Sequence, residues 1–219
     1  MTDTTNKKST FKPETAESLF EQSHKLFFAK QFPEVIHLCK KAIKLNPKFR
    51  RPYLRLGNIY SIFRHYDEAN DYYNRFLKYS IDEDNKLDIC KGYNALGYLF
   101  CLRKNYQDAL NYYYLSLDIA KDLNLEKEVA RSYNNIALTH RFQKNYEKAY
   151  YLYKKALQIS KKVNHTDRMA YYYFNIAILF KEQKKYIQAS WFMWKFRRLN
   201  KKLKKLGFYL SPSQENLPS

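Results

Sequence analysis

Asparagine residues recur along the middle of this sequence at intervals that place their side chains in register. Asn94 and Asn134 lie 40 positions apart, and Asn135 and Asn175 have the same separation. An asparagine amide contains both a hydrogen-bond donor and an acceptor, so it can bond both polar groups of a peptide unit whatever side chain that unit carries. A line of such amides is suited to holding an extended peptide by its backbone.

Two polar residues continue this pattern toward the N-terminus. Arg55 lies on the line of Asn135 and Asn175, 80 positions before Asn135, and Asn58 directly follows Gly57. These residues would lengthen the predicted peptide-binding surface. The alternative is structural, because the same amides could instead brace neighbouring units of the fold by bonding their backbone. The sequence leaves both interpretations open.

A line of basic residues runs beside the asparagines. Arg51, Lys91 and Arg131 are spaced by 40 positions, and the last two precede Asn94 and Asn134 by three residues. On a helix, residues three apart share a face, so the basic and amide side chains are expected to line the same surface. Charge-assisted hydrogen bonds from this line would favour an acidic or carboxylate-bearing peptide. The alternative is a solvated basic face.

The densest positive charge lies near the C-terminus. The segment 181–206 contains ten basic residues and one acidic residue, which is +9 of the chain's net charge of +19. An apolar seam with alternating spacings of four and three residues predicts one long helix there, made by Phe192, Phe196, Leu199, Leu203, Leu206 and Leu210. Gly207 is expected to interrupt or end it. This helix would cap the fold and keep its outer face hydrated.

A second role for the same helix is docking on nucleic acid or on another anionic surface. Clustered lysine and arginine provide attraction that depends on salt and not on sequence. The candidate patch consists of Lys195, Arg197, Arg198, Lys201, Lys202, Lys204 and Lys205. The partner would then be a nucleic acid, an acidic protein tail or a membrane surface.

The remaining residues offer little for catalysis. Cys39, Cys90 and Cys101 are widely spaced, which indicates neither a disulfide framework nor a metal site and is typical of reduced thiols. The sequence has no metal-binding HExxH motif, glycine-rich phosphate loop or serine hydrolase motif. His140 occupies a place that sister segments fill with aromatic residues, so we expect a packed, hydrogen-bonded core group. We therefore expect a protein that is not an enzyme and uses no cofactor or metal.

These side chains must be positioned by a repeated structural element. Small residues spaced by 40 positions occur in the segments YLRLGNIY, YNALGYLF, YNNIALTH and YFNIAILF, at Gly57, Gly97, Ala137 and Ala177. An alanine follows each one twelve positions later, at Ala69, Ala109, Ala149 and Ala189. An earlier copy has Ser23 and Val35 in these two columns. A period near 40 with helical spacing predicts stacked helical hairpins that approach closely at the small residues.

The same columns resemble the tetratricopeptide repeat pattern of aromatic, Leu-Gly, aromatic, Ala, aromatic and Pro. The resemblance covers residues 16–206 in five units, near 16–47, 50–81, 90–121, 130–161 and 170–206. The longer repeats are similar to those of kinesin light chains and of bacterial peptide-sensing regulators. This resemblance implies an all-α, right-handed superhelical solenoid of five hairpins with a C-terminal capping helix. It also implies that the first helices line a concave groove and that the asparagine and basic lines face it.

The expected organisation is a single solenoid between two short terminal segments. Residues 1–15 are expected to form a disordered lead and residues 207–219 a polar tail. The sequence has no apolar run long enough to span a membrane and no N-terminal secretory signal, so we expect a cytoplasmic protein. We interpret it as a non-catalytic adaptor or scaffold that binds a peptide or protein segment. The alternative is a basic accessory protein that docks on nucleic acid or an anionic surface through its C-terminal helix.

Overall fold

The computed structural model describes residues 14–205 as ten helices, and this part of the chain contains no strand. The all-α prediction is therefore confirmed. The helices are α1 (Ala16–Phe28), α2 (Phe32–Leu45), α3 (Arg51–Ile62), α4 (Tyr66–Asp82), α5 (Lys86–Leu102), α6 (Tyr106–Asp122), α7 (Glu126–Phe142), α8 (Tyr146–Lys162), α9 (Thr166–Glu182) and α10 (Tyr186–Lys205).

The two terminal segments lie largely outside the described residues. The tail 207–219 is outside, as are Leu206, Gly207 and Leu210 of the predicted C-terminal helix. Residues 1–13 of the predicted lead 1–15 are outside as well, and Thr15 is the N-cap of α1. Its side chain accepts a hydrogen bond from the backbone N–H of Ser18, and the Ser18 hydroxyl accepts one in return from the backbone N–H of Thr15.

Consecutive helices pair into five hairpins, and the third and fourth hairpins explain the period of 40. Their helices have 17 residues each and are joined by three-residue turns. The first helices begin at Lys86, Glu126 and Thr166, four residues before the predicted units at 90, 130 and 170. In α5 this earlier start is set by Asn85, whose side chain accepts a hydrogen bond from the backbone N–H of Asp88.

Eight of the nine connections between these helices share one backbone geometry. In each three-residue turn, the backbone N–H of the middle residue donates a hydrogen bond to the carbonyl three residues earlier. The backbone N–H of the last residue donates one to the carbonyl five residues earlier. This is the Schellman arrangement, which satisfies carbonyls that the helix end leaves unpaired. The middle residue has a positive φ in every case, although none is glycine: Lys30, Arg64, Asp84, Lys104, Asn124, Lys144, Asn164 and Lys184.

The small columns lie at close helix contacts, as the spacing predicts. Ala69, Ala109 and Ala149 are completely buried. A Cβ atom added to Gly57 would lie 2.4 Å from Cε1 of Tyr73, so that ring packs directly against the glycine backbone. Large buried tyrosines, Tyr73, Tyr113 and Tyr153, therefore fill the space around the contacts between small residues in the second, third and fourth hairpins.

The first helices lie on the inner side of the stack. Contacts join α3 to α5, α5 to α7 and α7 to α9, whereas no comparable contact joins successive second helices among the described residues. The first helices are therefore closer together, and the stack curves toward them. This places α1, α3, α5, α7 and α9 along the groove.

The C-terminal cap is the second helix of the fifth hairpin, which continues to Lys205. Phe192, Phe196 and Leu203 of the predicted seam are buried, and α10 packs on α9. On the side where a sixth hairpin would pack, Arg197 replaces the buried Leu157 of α8. This face is more polar than the corresponding face of α8, as expected for the last helix of a solenoid.

His140 is a core residue, but it lacks the hydrogen bonds expected from the sequence. Its side chain is buried, and neither ring nitrogen has a hydrogen-bond partner among the described residues. Burial, with a smaller contribution from the charge of Lys148, lowers the pKa of His140 from its ordinary value of 6.5 and outweighs the opposing effect of the neighbouring Gln143 side chain, which does not reach hydrogen-bond geometry. The folded state therefore binds a proton on this ring less readily than the unfolded chain does.

We expect this difference to make stability depend on pH. Below about pH 6.5 the unfolded chain takes up the proton first, so the free energy of unfolding should fall as pH decreases. The measurement is urea denaturation between neutral and mildly acidic pH. His140→Phe should lose less stability over this range than the wild type, whereas the exposed control His37→Gln should not differ from it. Equal slopes for wild type and His140→Phe would contradict this account of His140.

Candidate functional site

A pocket of about 500 Å³ opens on the inner face where α1, α3 and α5 meet. Four of the nine predicted groove residues line it, which are Arg51, Arg55, Asn58 and Lys91. Its other lining residues are Phe20, Leu54, Phe76 and Asp88. The pocket therefore combines three cations with one carboxylate, one amide and an apolar floor.

Arg55 is the distinctive group of this pocket. Its Nη1 donates to the Ser23 hydroxyl at 2.9 Å, and its Nη2 lies 2.8 Å from Nδ1 of His24. The guanidinium carbon lies 4.1 Å from the centre of the Phe20 ring. Burial lowers the pKa of Arg55, and none of the ion pairs among residues 14–205 includes it. A partly buried cation thus lines the pocket without a carboxylate partner.

The basic line of Arg51, Lys91 and Arg131 carries less net positive charge than its three residues alone would suggest. Each of its residues has a carboxylate within ion-pair distance, so much of its charge is balanced within the protein. The pairs are Arg51 with Glu21 at 3.5 Å, Lys91 with Asp88 at 2.8 Å and Arg131 with Glu128 at 3.1 Å. The sequence could have predicted two of these ion pairs, those of Lys91 and Arg131, because in α5 and α7 the acidic residue precedes the basic one by three positions.

Asp88 also links the second hairpin to the third. Its other carboxylate oxygen accepts a hydrogen bond from Nε of Arg50 at 2.6 Å, and Arg50 pairs with Glu83 as well. Burial alone would raise the pKa of Asp88, but the hydrogen bonds from Lys91 and Arg50 outweigh it and lower that pKa. Asp88 is therefore ionised at neutral pH and keeps Lys91 at the edge of the pocket.

The predicted asparagine line forms a chain of side-chain hydrogen bonds. Asn175 donates to Asn134 at 2.8 Å, Asn134 donates to Asn135 at 3.1 Å, and Asn135 donates to Asn94 at 3.1 Å. Asn94 then donates to the hydroxyl of Ser116. The chain links α9, α7, α5 and α6 across three hairpins.

This arrangement corrects the expectation that all the asparagines are free to contact a ligand. Asn94, Asn134 and Asn175 are only 5%, 2% and 4% exposed. They brace neighbouring hairpins through side-chain hydrogen bonds, whereas the alternative had suggested bonds to the backbone of the adjacent hairpin. The one backbone acceptor among them is the Cys90 carbonyl, which lies on the same helix as Asn94. Asn135 remains partly exposed, and Asn58 is exposed with its carbonyl accepting a hydrogen bond from the Tyr73 hydroxyl at 2.8 Å.

The seven residues of the C-terminal basic patch all lie on α10, several hairpins away from the pocket. Six of them are exposed, and Lys195 is partly buried with its ammonium 4.9 Å from the centre of the Trp191 ring. The helix α10 has no acidic residue. The patch and the pocket are therefore separate surfaces.

The other candidate groups offer no reactive site. Cys39, Cys90 and Cys101 are buried free thiols, and burial raises the pKa of Cys101 to about 11. Such a thiol is largely protonated and unreactive at neutral pH. No cluster of histidine, cysteine and acidic residues that could hold a metal ion occurs between residues 14 and 205. None of the helices described combines the length and apolar character needed to cross a membrane.

Comparison with known protein families identifies the repeat. Models described as tetratricopeptide repeat match residues 51–80, 88–162 and 128–190. A comparison with curated proteins found no significant match.

Solved structures with the same fold include BtubC (BKLC) from P. vanneervenii, with 18% identity, a TM-score of 0.67 and coverage of 90% of this chain and 83% of that one. Aspartyl phosphate phosphatase F from Bacillus subtilis has 18% identity, a TM-score of 0.73 and coverage of 92% and 57%. A Rap protein complexed with competence and sporulation factor has 14% identity, a TM-score of 0.78 and coverage of 92% and 61%. The chain thus spans about three fifths of the latter two proteins.

Proposed function

Because this chain belongs to the tetratricopeptide repeat proteins, we propose that it is a non-catalytic cytoplasmic adaptor whose groove binds a segment of a partner protein. The fold supports an interaction scaffold, and the pocket between α1, α3 and α5 supports the location of binding. One structural neighbour is a Rap protein in complex with competence and sporulation factor. The groove in this chain is proposed to bind an extended segment that carries a carboxylate.

The observation that carries this proposal is Arg55. A cation that is partly removed from water without an anionic partner is costly, so the site is completed when a ligand supplies the missing charge. The planar guanidinium has five N–H donors, and its hydroxyl and imidazole partners engage only two of its nitrogens. Arginine can bind a carboxylate through two parallel hydrogen bonds. An acidic side chain or a C-terminal carboxylate fits this requirement.

The surrounding residues supply the rest of the binding surface. Leu54, which is partly exposed, provides apolar surface for a neighbouring side chain of the ligand. Asn58 is exposed, and its side-chain amide can bond the backbone of the ligand. Arg51 and Lys91 are paired with carboxylates, so we assign them a contribution to the electrostatic potential and not a direct contact. Further along α7, Asn135 and Arg131 are only partly buried and continue the proposed contact line.

We expect Arg55→Ala to weaken peptide binding at least about tenfold, because a hydrogen bond to a charged group contributes roughly 1.5–3 kcal/mol. The measurement uses an array of immobilised peptides that contain aspartate or glutamate, with matched peptides in which asparagine or glutamine replaces them. Arg55→Lys should restore only part of the binding, since an ammonium cannot form the paired hydrogen bonds.

The control for this experiment is Arg75→Ala, which removes the same charge from an exposed position on the outer helix α4. It should bind the acidic peptides as the wild type does. The proposal is wrong if Arg55→Ala keeps its affinity, or if the wild type binds the acidic peptides and their amide counterparts equally well.

A second role concerns α10, which we propose as a docking helix for nucleic acid or another anionic surface. Its support is the exposure of six of the seven patch residues, together with the lack of acidic residues on the helix. Because the patch is distant from the pocket, this role is independent of peptide binding in the groove.

A further inference from the structure

The outer face of α10 exposes large apolar side chains. Tyr186 is 62% exposed, Ile187 is 86% exposed, and Trp191 and Trp194 are each 51% exposed. The last three are spaced by four and three residues, so they form one stripe on the helix. Phe196 lies on the side of α10 that packs against α9, and the stripe lies on the opposite side. Nothing in residues 14–205 covers it.

The same face becomes basic toward the C-terminal end of the helix. All seven charged residues of α10 are cations, and the densest group extends from Arg197 to Lys205. Two of the seven also contact the aromatic stripe. The ammonium of Lys195 lies 5.3 Å from the centre of the Trp194 ring, and the guanidinium of Arg198 lies 5.6 Å from it. Apolar and cationic groups thus form one continuous surface.

Deepening the docking role of α10, we propose that this face binds an anionic membrane surface. The helix lies flat in the lipid interface, with Ile187, Trp191 and Trp194 at the boundary between headgroups and acyl chains. The basic residues beyond Trp194 bind lipid phosphates and carboxylates. An amphipathic helix with tryptophan and aliphatic residues on its immersed side and lysine and arginine beside them is suited to this placement. From Ile187 to Lys205 the contact would extend roughly 27 Å.

Charge and surface chemistry favour a membrane over two other occupants. A second copy of the chain would bring two cationic helices together, and like charges in close contact repel. Single-stranded nucleic acid stacks its bases on aromatic faces, but cations already lie over the rings of Trp191 and Trp194. Ile187, the most exposed of these side chains, is aliphatic and offers no stacking surface. Lipid interfaces accept aliphatic, aromatic and basic groups together.

The chain contains a built-in reporter for this contact. Its only two tryptophans are Trp191 and Trp194. Their fluorescence in the full-length protein should shift to shorter wavelength when it binds vesicles of phosphatidylcholine containing phosphatidylserine. Brominated acyl chains in the same vesicles should quench the emission. Vesicles of phosphatidylcholine alone should produce neither change, because they lack the anionic headgroups.

Two sets of variants separate the apolar contribution from the charge. The double substitution Trp191→Ser and Trp194→Ser should reduce binding to the anionic vesicles at least about tenfold, because two interfacial aromatic side chains are lost. Binding of this variant is measured by sedimentation with the vesicles. The matched control is Tyr151→Ser, which changes an exposed aromatic residue in the same column as Trp191, one hairpin earlier. It should bind as the wild type does.

Replacement of Lys201, Lys202, Lys204 and Lys205 by Gln should reduce binding at least about 100-fold and flatten its dependence on salt. The charge control is Lys121→Gln with Lys161→Gln, two exposed residues in the same column as Lys201. It should lower binding much less. Circular dichroism should show the same helix content for all these variants.

The proposal is overturned if wild type binds the anionic vesicles no better than phosphatidylcholine at low salt, or if the tryptophan variant binds them as tightly as wild type does. Binding to single-stranded RNA without binding to vesicles would also overturn it. In that case the general docking role of α10 would survive. Loss of both kinds of binding would remove that role as well, while peptide binding in the groove would be unaffected.

Discussion

Asn134→Ala is expected to lower the free energy of unfolding by roughly 2–4 kcal/mol, because it leaves two buried or partly buried polar groups without their partners. Asn134 accepts a hydrogen bond from Asn175 and donates one to Asn135. Its side chain is only 2% exposed, so water cannot easily replace these bonds. The measurement is urea denaturation monitored by circular dichroism.

The comparison variant is Asn74→Ala, which changes an exposed asparagine on α4. It should differ little from wild type, because its amide is hydrated in both states and alanine has a higher helix propensity. If Asn134→Ala is as stable as wild type, the amide chain does not brace the hairpins. If Asn134→Ala keeps the wild-type free energy of unfolding but loses peptide binding, Asn134 contacts the ligand, as was first expected from the sequence.

Gly57→Ala is expected to destabilise the second hairpin, because the new Cβ would lie 2.4 Å from a ring carbon of Tyr73. That ring cannot tilt freely. Its hydroxyl donates to Asn58 at 2.8 Å and lies 3.3 Å from the Ser61 hydroxyl. The strain of overpacking, roughly 1–3 kcal/mol, should exceed the gain of about 1 kcal/mol in helix propensity. A lower midpoint in urea denaturation would show this effect.

The matched substitution is Gly92→Ala on α5. There the nearest atom to the added Cβ would be Cδ1 of Leu77 at 3.1 Å, at the end of a flexible side chain that can shift slightly. We expect Gly92→Ala to be neutral or stabilising. Equal stability of the two alanine variants would show that the Gly57 contact is not tight.

The later hairpins explain why this column does not always require glycine. Ala137 occupies it in the fourth hairpin, where the corresponding tyrosine is Tyr153. The Tyr153 hydroxyl has no hydrogen-bond partner among the described residues. That ring is therefore not tied as Tyr73 is, and it can adjust to a Cβ atom.

Much of the fold could be predicted from the sequence, because each hairpin repeats the same packing rule. The small columns at Gly57 and Ala149 mark helix contacts, and the structure places both of them in the core. The helix starts were harder to predict, because the repeated aromatic and small residues begin one turn inside α5, α7 and α9. The caps that begin the helices lie outside that pattern, and only some of them are asparagines, as Asn85 is.

The site was predicted less completely. The hydrogen-bonded pairs Asn135–Asn94 and Asn175–Asn134 are each separated by 41 positions, one more than the repeat period. Alignment by 40 residues puts members of a pair in adjacent columns, so it cannot show that they bond across hairpins. The position of Arg55 in a pocket likewise depends on Phe20 and Ser23 of α1, whose hairpin is offset by a shorter repeat.

The amide chain has a consequence for how a protein of this kind can change length. Duplication of the segment 126–165 within the gene would insert one further hairpin with the same helices and turns. In such a product, the second copy of Asn135 would stand 41 positions after the first Asn134, which is the separation of the bonded pairs seen here. Each added hairpin would therefore continue the chain of hydrogen-bonded asparagines without interruption. The groove could lengthen by whole hairpins, and each new hairpin would already contain the residues that brace it to its neighbours.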